Sequence, residues 1–374
     1  MRVAIVAECF LPARNGVTGS VVRILDHLRR CGHEAIVVTP GPGPDEHDGV
    51  PVVRVPSIPL PFYRSLPLAT VSTDRVESEL RAFAPDVVHL AAPALLGRAG
   101  ALAARSLDVP AVAVFQTDYA GFARRYHGRA LSAAIWRALR DVHERCAVTL
   151  APSTMAVWEL RRHRIARVER WGRGVDLDRF HPARRDEPFR RLLAPGGELL
   201  VGTVGRLAPE KRVHLLGALE GLPGIRIVIV GDGPSRRRVR RAVPSAAMLG
   251  FLDGTELGRA YASLDVFVHA GEHETFCQAV QEALAAGVPV VAPAIGGPVD
   301  LVRHGSTGWL FPPGDTAMLR QQVATFVAEP ELRRSMGAAA RASVEGRSWT
   351  AIGDELLAHY VRAIGTTTQR EMAA

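Results

Sequence analysis

Two glutamates, Glu274 and Glu282, bracket the stretch of this chain whose residue types and spacing could do most chemistry. Between them, Thr275 and Gln278 match a T-x-x-Q capping box, which predicts a helix that begins at Phe276. The first N–H groups of such a helix are unpaired and carry the positive end of its dipole, so they can seat a phosphate. A carboxylate for sugar hydroxyls on each side of a diphosphate seat suits an enzyme that acts on nucleotide sugars. The alternative is an ordinary amphipathic helix with solvated acids.

Two cations follow the predicted strand Leu199–Val204. Arg206 and Lys211 lie five residues apart, with Pro209 between them to shape a turn. Such cations can grip both phosphates of a diphosphate, and they favour the transition state because a departing phosphate gains charge. Exposed basic residues are commonly only solvated, so this pair does not define a site by itself.

The first half offers two candidates at the ends of predicted strands. Gly16 lies in the loop Pro12–Ser20, where a phosphate could approach the backbone; a tight turn is the alternative. The loop has no G-x-G-x-x-G fingerprint, so a dinucleotide site is poorly supported. Asp118 follows a later strand and is a candidate contact for a sugar or an acceptor, or else a helix cap.

Composition indicates a globular protein with a basic surface. A chain of 374 residues is too long for one ordinary domain. Its 47% hydrophobic and 22% charged residues are typical of folded proteins. The net charge of +8 favours an anionic partner such as nucleic acid, acidic lipid or a phosphorylated substrate, but arginine-rich usage can reflect coding bias. Charge alone does not choose among these partners.

Cysteine spacing and hydropathy bear on the cellular compartment. The four cysteines lie far apart without C-x-x-C spacing, which argues against a zinc site or a disulfide framework and fits a reducing environment. The first apolar run is too short for a signal peptide, and the longest uncharged stretch, about 283–299, contains three prolines. We therefore expect a soluble, cytoplasmic protein.

Short β-branched runs alternate with helical patterns along the chain, which predicts buried parallel strands. The predicted strands are Val3–Ala7, Ala35–Thr39, Val52–Val55, Asp86–Leu90, Ala111–Phe115, Ala147–Leu150, Leu199–Val204, Ile225–Val230, Ala247–Leu249, Val266–Val268, Val288–Ala292 and Gly308–Leu310. Two series of six strands predict an α/β fold of two doubly wound, Rossmann-like domains with a cleft between them. We place the domains at 1–175 and 197–349, joined by a linker at 176–196. A last helical pattern, about 350–374, is expected to cross back to the first domain.

Some segments leave two interpretations open. Ser57–Pro67 is proline-rich and apolar, and predicts either a packed surface loop or a loop that faces a membrane or guides an acceptor. Asp176-Leu177-Asp178 has metal-binding spacing, but it lies in the predicted linker, so we expect no metal there. The basic clusters at 124–129, 161–164 and 236–241 are read as solvated faces; the first could instead touch anionic lipid headgroups.

With these motifs the chain resembles the retaining GT-B glycosyltransferases, a group that includes bacterial phosphatidylinositol mannosyltransferases. The resemblance spans nearly the whole chain and is most specific in the glutamate pair followed by Ala283–Ala292. The sequence from Glu274 through Glu282 looks closest to actinobacterial GDP-mannose-dependent α-mannosyltransferases. The resemblance implies transfer of a hexose, with GDP-mannose the favoured donor, to a lipid or glycolipid hydroxyl, by a protein that can sit peripherally on the inner membrane face. The runner-up is a UDP-sugar-dependent enzyme with a soluble or natural-product acceptor.

The resemblance also implies residue roles. Glu274 would contact the donor sugar and Glu282 the ribose, while Arg206 and Lys211 hold the diphosphate. Further implied donor-binding positions are Gly16, Phe276, Cys277, Gln278, and Phe251 and Leu252 in the base pocket. Many relatives carry histidine where this chain has Gln116, which cannot ionise, so Asp118 becomes the better catalytic candidate beside Glu274, Arg206 and Lys211.

No residue declares itself as a nucleophile below the sugar. The resemblance implies retention of anomeric configuration with no metal and no cofactor. Our working hypothesis is a front-face path, in which the departing phosphate oxygen accepts the proton of the acceptor hydroxyl. Two rival classes are disfavoured. A nucleic-acid-binding protein lacks its usual aromatic, zinc or coiled-coil motifs, and an NAD-dependent oxidoreductase lacks its glycine fingerprint.

Overall fold

The computed structural model describes residues 1–13, 15–60 and 63–372. The chain divides into two compact units. Unit 1 comprises Met1–Gly172 and Trp349–Ala374, and unit 2 comprises Arg173–Ser348. Within the described ranges, no helix is both long enough and apolar enough to cross a membrane.

Strands and helices alternate along most of the chain. The strands are β1 (Arg2–Ala7), β2 (Glu34–Pro40), β3 (Glu46–His47), β4 (Val50–Val55), β5 (Ser57–Leu60), β6 (Tyr63–Ala69), β7 (Val87–Ala91), β8 (Ala111–Val114), β9 (Val148–Ala151), β10 (Val168–Arg170), β11 (Leu199–Val204), β12 (Ile225–Val230), β13 (Ala247–Gly250), β14 (Val266–Val268), β15 (Val290–Pro293) and β16 (Gly308–Phe311). The helices are α1 (Gly16–Arg30), α2 (Thr73–Phe83), α3 (Leu95–Ser106), α4 (Tyr119–His127), α5 (Arg129–Glu144), α6 (Thr154–Arg162), α7 (Glu187–Leu193), α8 (Arg236–Ala242), α9 (Gly254–Ser263), α10 (Gln278–Ala285), α11 (Pro298–Leu301), α12 (Thr316–Ala328), α13 (Pro330–Val344) and α14 (Trp349–Met372).

Unit 1 is built on an eight-stranded sheet in the order β10-β9-β8-β7-β1-β2-β4-β3. Its strands pair in parallel except β3, which is antiparallel to β4. The central strand β1 is buried from Val3 to Ala7, as expected of a strand covered by helices on both faces. The chain builds outward from β1 through β2 on one side and from β7 on the other, so the strand order reverses between β1 and β7.

Helix α14 belongs to unit 1 although it follows unit 2 in the sequence. Its Ile352, Leu356 and Tyr360 are buried in a core cluster with residues of the sheet. The Trp171 indole Nε1 donates to the carbonyl oxygen of Ile352 (3.0 Å), and the Tyr360 hydroxyl lies 2.7 Å from Nδ1 of His89 in β7. These contacts bind the end of the chain to the sheet of unit 1.

Unit 2 is built on a six-stranded parallel sheet in the order β13-β12-β11-β14-β15-β16. Its strand order reverses between β11 and β14, which pair through Val201 and Val266. Helix α10 covers one face through Val280 and Leu284, both fully buried. This is the doubly wound arrangement that the alternating pattern predicted.

The predicted strands agree closely with the structure. Each is present, with ends that differ by at most two residues. Two six-stranded sheets were expected, but in unit 1 the short strands β3 and β10 extend the sheet to eight. Both lie at its edges and are only two and three residues long, too short to show a hydrophobic pattern.

The proline-rich segment Ser57–Pro67 is not a simple loop. Its backbone forms the antiparallel strands β5 and β6, in which Ile58 pairs with Leu68. Pro61 and Phe62 lie outside the described residues. Proline fits such a two-stranded ribbon because both strands are edges, where missing N–H groups break no central ladder.

The predicted linker at 176–196 is part of unit 2 and not a free connection. Its Asp, Arg and Pro content suggested a linker, yet Phe180 and Ala194 are buried in the unit 2 core. The segment also contains the helix α7, capped by the side chain of Asp186. Buried apolar residues therefore hold the segment in unit 2, and Arg190 adds a 2.8 Å ion pair to Asp265.

Candidate functional site

The reversal of strand order in unit 2 places two loops side by side. In open α/β sheets, ligands bind at the carboxyl ends of the strands where this order reverses. Strand β11 leads into the loop with Arg206 and Lys211, and the neighbouring β14 leads into the loop with Glu274. The fold thus brings together Lys211 and Glu274, which are 63 positions apart in the sequence.

Lys211 and Glu274 form an ion pair, with Lys211 Nζ 2.5 Å from Glu274 Oε1. Burial alone would raise the pKa of Glu274, but the nearby Lys211 outweighs it and holds that pKa below its usual value. Burial alone would likewise lower the pKa of Lys211, but Glu274 raises it overall. Both groups are therefore charged at neutral pH.

Two consecutive glycines hold the loop that carries Glu274. The Gly297 N–H donates to the carbonyl oxygen of Glu274 at 2.9 Å. A Cβ on Gly297 would collide with the carbonyl of Phe276, and one on Gly296 would lie 2.7 Å from the carbonyl oxygen of Glu274. This close approach of two backbone segments requires glycine, and it fixes the backbone position from which the Glu274 side chain extends.

The helix after this loop starts later than the capping box predicted. Helix α10 begins at Gln278, and its N-cap is Cys277, with φ of +78° and no side-chain cap. The amide Nε2 of Gln278 donates 3.0 Å to the carbonyl oxygen of Gly174, so it is not turned back toward Thr275. The predicted box and the helix start at Phe276 were therefore wrong. An N-terminus without a side-chain cap does, however, leave its N–H groups for an anion.

Glu282 lies on α10 and is held by a tyrosine. The fully buried Tyr261 donates its hydroxyl to Glu282 Oε2 at 2.9 Å. Burial raises the pKa of Glu282 to about 7, although the bond from Tyr261 acts to lower it. Burial, and then the charge of Glu274, raise the pKa of the Cys277 thiol, and the charge of Glu282 adds to this.

The remaining candidates in unit 2 are more exposed. Arg206 donates to Glu210 Oε1 at 2.6 Å, and its side chain is 48% exposed. Phe251 is 66% exposed, while Leu252 packs partly buried against the unit 2 core. A half-exposed guanidinium and an exposed ring are accessible to a ligand.

Two candidates lie in unit 1. Gly16 is the first residue of α1, whose N-cap Asn15 accepts hydrogen bonds from two N–H groups of the first turn. Asp118 is the N-cap of α4 and accepts a 2.7 Å hydrogen bond from the Gly121 N–H. Asp118 therefore acts as a helix cap, the alternative that its sequence context left open.

Unit 1 has its own point of strand reversal, and a carboxylate occupies it. Glu8 follows β1, and its side chain accepts hydrogen bonds from the N–H groups of Ala94 (2.6 Å), Gly97 (2.8 Å) and Leu96 (3.3 Å) at the start of α3. Burial raises the pKa of Glu8 against the lowering effect of these bonds. The position that a phosphate would take is filled by the chain itself.

The ammonium of Lys211 already lies beside the Glu274 carboxylate, where a metal ion could otherwise bind. Ligand-type atoms of His269, Glu274 and Cys277 lie within 4.8 Å of one another, a grouping that could hold a metal ion. The ammonium of Lys211, however, sits 2.5 Å from Glu274 Oε1. A metal at that oxygen would have to displace a charge that the protein supplies.

Two further features of the sequence point to this site but were not used in the predictions above. Lys211 is the only lysine in the chain, among 46 lysines and arginines. In a chain whose other basic residues are all arginine, a single lysine indicates a position that needs a compact ammonium group and not a planar guanidinium. His269 was also missed, although it directly follows the buried strand β14, at the edge where ligands bind.

Comparison with known proteins places the chain in a family. The family model "Glycosyl transferases group 1" matches residues 184–343, and "Glycosyltransferase Family 4" matches residues 14–179. The chain is 53% identical to the GDP-mannose-dependent alpha-mannosyltransferase of Mycolicibacterium smegmatis, over 99% of this chain and 100% of that protein. It is 52% identical to the protein of that name from Mycobacterium tuberculosis, over 98% of each chain.

Solved structures show the same fold at low identity. Sucrose-phosphate synthase from Thermosynechococcus elongatus matches with a TM-score of 0.81 and 20% identity, over 98% of this chain and 99% of that one. Anabaena Alr3699/HepE in complex with UDP matches with a TM-score of 0.80 and 17% identity, over 97% of this chain and all of that one. The resemblance noted from the motifs is confirmed: the chain is a GT-B glycosyltransferase, in the family that includes the GDP-mannose-dependent α-mannosyltransferases.

Proposed function

We propose that this protein transfers mannose from GDP-mannose to a hydroxyl of a lipid or glycolipid acceptor, with retention of anomeric configuration and without a metal ion. The observation that carries the proposal is the Lys211–Glu274 ion pair at the unit 2 strand reversal. Relatives named for GDP-mannose, 52–53% identical over nearly the full chain, support the choice of donor.

The contacts within unit 2 support the following donor roles in this proposal. Glu274 accepts hydrogen bonds from the sugar hydroxyls. Glu282, which lies on α10, accepts hydrogen bonds from the ribose hydroxyls. The uncapped start of α10 and the cations Arg206 and Lys211 bind the diphosphate. Exposed Phe251, with Leu252 beside it, lines the base.

The reaction breaks the bond between the anomeric carbon and the phosphate oxygen and forms one to the acceptor oxygen on the same face. The acceptor proton passes to the departing phosphate oxygen. Lys211 and Arg206 stabilise the charge that this phosphate gains, which favours the transition state over the bound donor. Because Lys211 is pre-aligned by Glu274, little reorganisation accompanies bond cleavage.

Unit 1 binds the acceptor in this proposal. Asp118 is the acceptor-side carboxylate. Basic residues at 124–129 stand beside two exposed apolar side chains, Phe122 (40%) and Leu131 (44%). This combination suits a peripheral contact with anionic lipid on the cytoplasmic side.

The test compares donors and acceptors with the purified protein. We expect GDP and GDP-mannose to raise its melting temperature more than UDP, UDP-glucose or UDP-galactose, since a ligand that binds only the native state stabilises it. With GDP-mannose and membrane lipid extract, mass spectrometry should show a lipid product heavier by one hexose, in the α-configuration and formed equally in EDTA. Larger stabilisation by UDP-sugars, or transfer only to soluble acceptors, would instead support the UDP-dependent alternative.

A further inference from the structure

His269 is a buried histidine beside Glu274, and the proposed donor roles do not use it. It follows β14 directly, and its N–H donates to the carbonyl oxygen of Val291 in β15 at 2.9 Å. The parallel sheet therefore continues to His269 and fixes the position of its backbone. Its side chain is only 6% exposed.

The ring of His269 points at the carboxylate of Glu274. Its Nε2 lies 3.5 Å from Glu274 Oε1, yet among the described residues this buried nitrogen has no hydrogen-bond partner. A Cβ on Gly271 would lie 3.0 Å from the same Nε2, so the ring is enclosed on that side as well. An unpaired buried nitrogen aimed at a functional acid is costly unless the bond forms in another state of the protein.

The histidine is neutral beside an ionised acid. Burial lowers the pKa of His269 to about 4, more than the nearby charge of Glu274 raises it. A neutral imidazole carries one N–H, which can donate to a carboxylate without cancelling its charge. Glu274 thus keeps its negative charge for a ligand.

Lys211 and His269 approach the same oxygen of Glu274. Lys211 Nζ and His269 Nε2 both face Oε1, at 2.5 and 3.5 Å. Two donors on one oxygen fix the rotation of the carboxylate. The other oxygen is then left, in a defined direction, for a ligand hydroxyl.

We propose that His269 is a positioning residue: together with Lys211 it orients the Glu274 carboxylate so that Oε2 receives a hydroxyl of the donor sugar. The inference rests on the proposed function, which makes Glu274 the sugar contact. On donor binding the 3.5 Å approach closes to a hydrogen bond, so His269 acts on the sugar through Glu274 without touching it.

The test compares His269→Leu, which removes the donor, with His269→Gln, which keeps an N–H at similar reach. We expect His269→Leu to lower kcat/KM for GDP-mannose about 10- to 100-fold and His269→Gln less than about fivefold. The affinity for GDP should change less than about twofold in both, because GDP lacks the sugar. His214→Gln, whose ring contacts Arg238 instead, is the matched control and should behave like wild type.

Two results would overturn the inference. One is a His269→Leu enzyme within about threefold of wild type. The other is equal loss in both variants together with loss of GDP binding, which would indicate a purely structural role. If the wild-type enzyme uses a different nucleotide sugar, only the assignment of GDP-mannose as the donor is wrong. The role of His269 is then decided by the same comparison, made with that nucleotide sugar and its nucleoside diphosphate.

Discussion

The Tyr261 hydroxyl donates to Glu282 Oε2 at 2.9 Å and is the contact that keeps this half-buried acid close to ionisation at neutral pH. Burial raises the pKa of Glu282 to about 7, and the tyrosine is the largest influence that lowers it. In the proposed function Glu282 binds the ribose, so this pair predicts donor binding that depends on pH near neutrality.

Glu282 should make the stability of the protein depend on pH. Its pKa rises from 4.5 in the unfolded chain to about 7 in the folded one, so folding takes up a proton between these values. The free energy of unfolding then falls as pH rises through this window, by roughly 3 kcal/mol for this one group. In urea titrations at pH 5 and pH 8, Glu282→Gln should lack that fall. Tyr261→Phe should enlarge it, and an unchanged slope in both variants would refute the assignment.

Replacement of Lys211 should cost catalysis even when its charge is kept. We expect Lys211→Ala to lower kcat/KM about 100-fold or more, because it removes the cation that stabilises the departing phosphate. Lys211→Arg should also lose activity, since the planar guanidinium does not fit the place of an ammonium beside Glu274. Transfer by Lys211→Ala within about threefold of wild type would contradict this role.

The single lysine offers a direct readout of the same site. An amine-selective reagent can modify only Lys211 and the N-terminal amine, so the mass of the intact protein reports on Lys211. Bound GDP-mannose should slow this modification, whereas mannose alone should not.

Gly297→Ala should displace the loop that carries Glu274. The new Cβ would collide with the Phe276 carbonyl, although the backbone of Gly297 suits any residue. We expect a loss of about 1–3 kcal/mol in the free energy of unfolding and weaker donor binding. Gly346→Ala is the matched control, because no atom lies within 4 Å of its added Cβ. Equal stability of the two variants would argue against tight packing of the loop.

Cys277 occupies a backbone conformation that favours glycine. With φ of +78°, a Cβ at this position is strained. We therefore expect Cys277→Gly to be more stable than Cys277→Ala by about 1 kcal/mol, the reverse of the usual order within helices. Denaturant unfolding of the two variants checks this directly, since both lack the thiol.

The sheets were predictable because their strands are short, apolar and β-branched. Strands such as Ile225–Val230 are buried on both faces over their last four residues, which form a continuous apolar, β-branched run. The edge strand Val168–Arg170 has one buried residue in three, so the sequence carried no such signal. The segment around Phe180 was predicted to be a linker for a related reason. One buried aromatic residue holds it in unit 2, and most of the neighbouring residues are polar.

The site was only partly predictable. The family resemblance assigned Lys211 and Glu274 to the same donor, and the structure places the two side chains in contact. The start of α10 could not be read from Thr275 and Gln278, because Cys277 between them adopts a φ of +78°, outside the helical region, and the Gln278 amide donates to the distant Gly174. A local sequence pattern does not contain such long-range contacts.

Glu8 has a consequence for a protein made of two similar halves. Each unit presents a helix at its strand reversal, and an anion in solution would find the two alike in topology. In one of them three amide groups already grip an internal carboxylate. Because those N–H groups are already paired with Glu8, a phosphate cannot use them, which favours unit 2 as the half that binds the nucleotide in the proposed function.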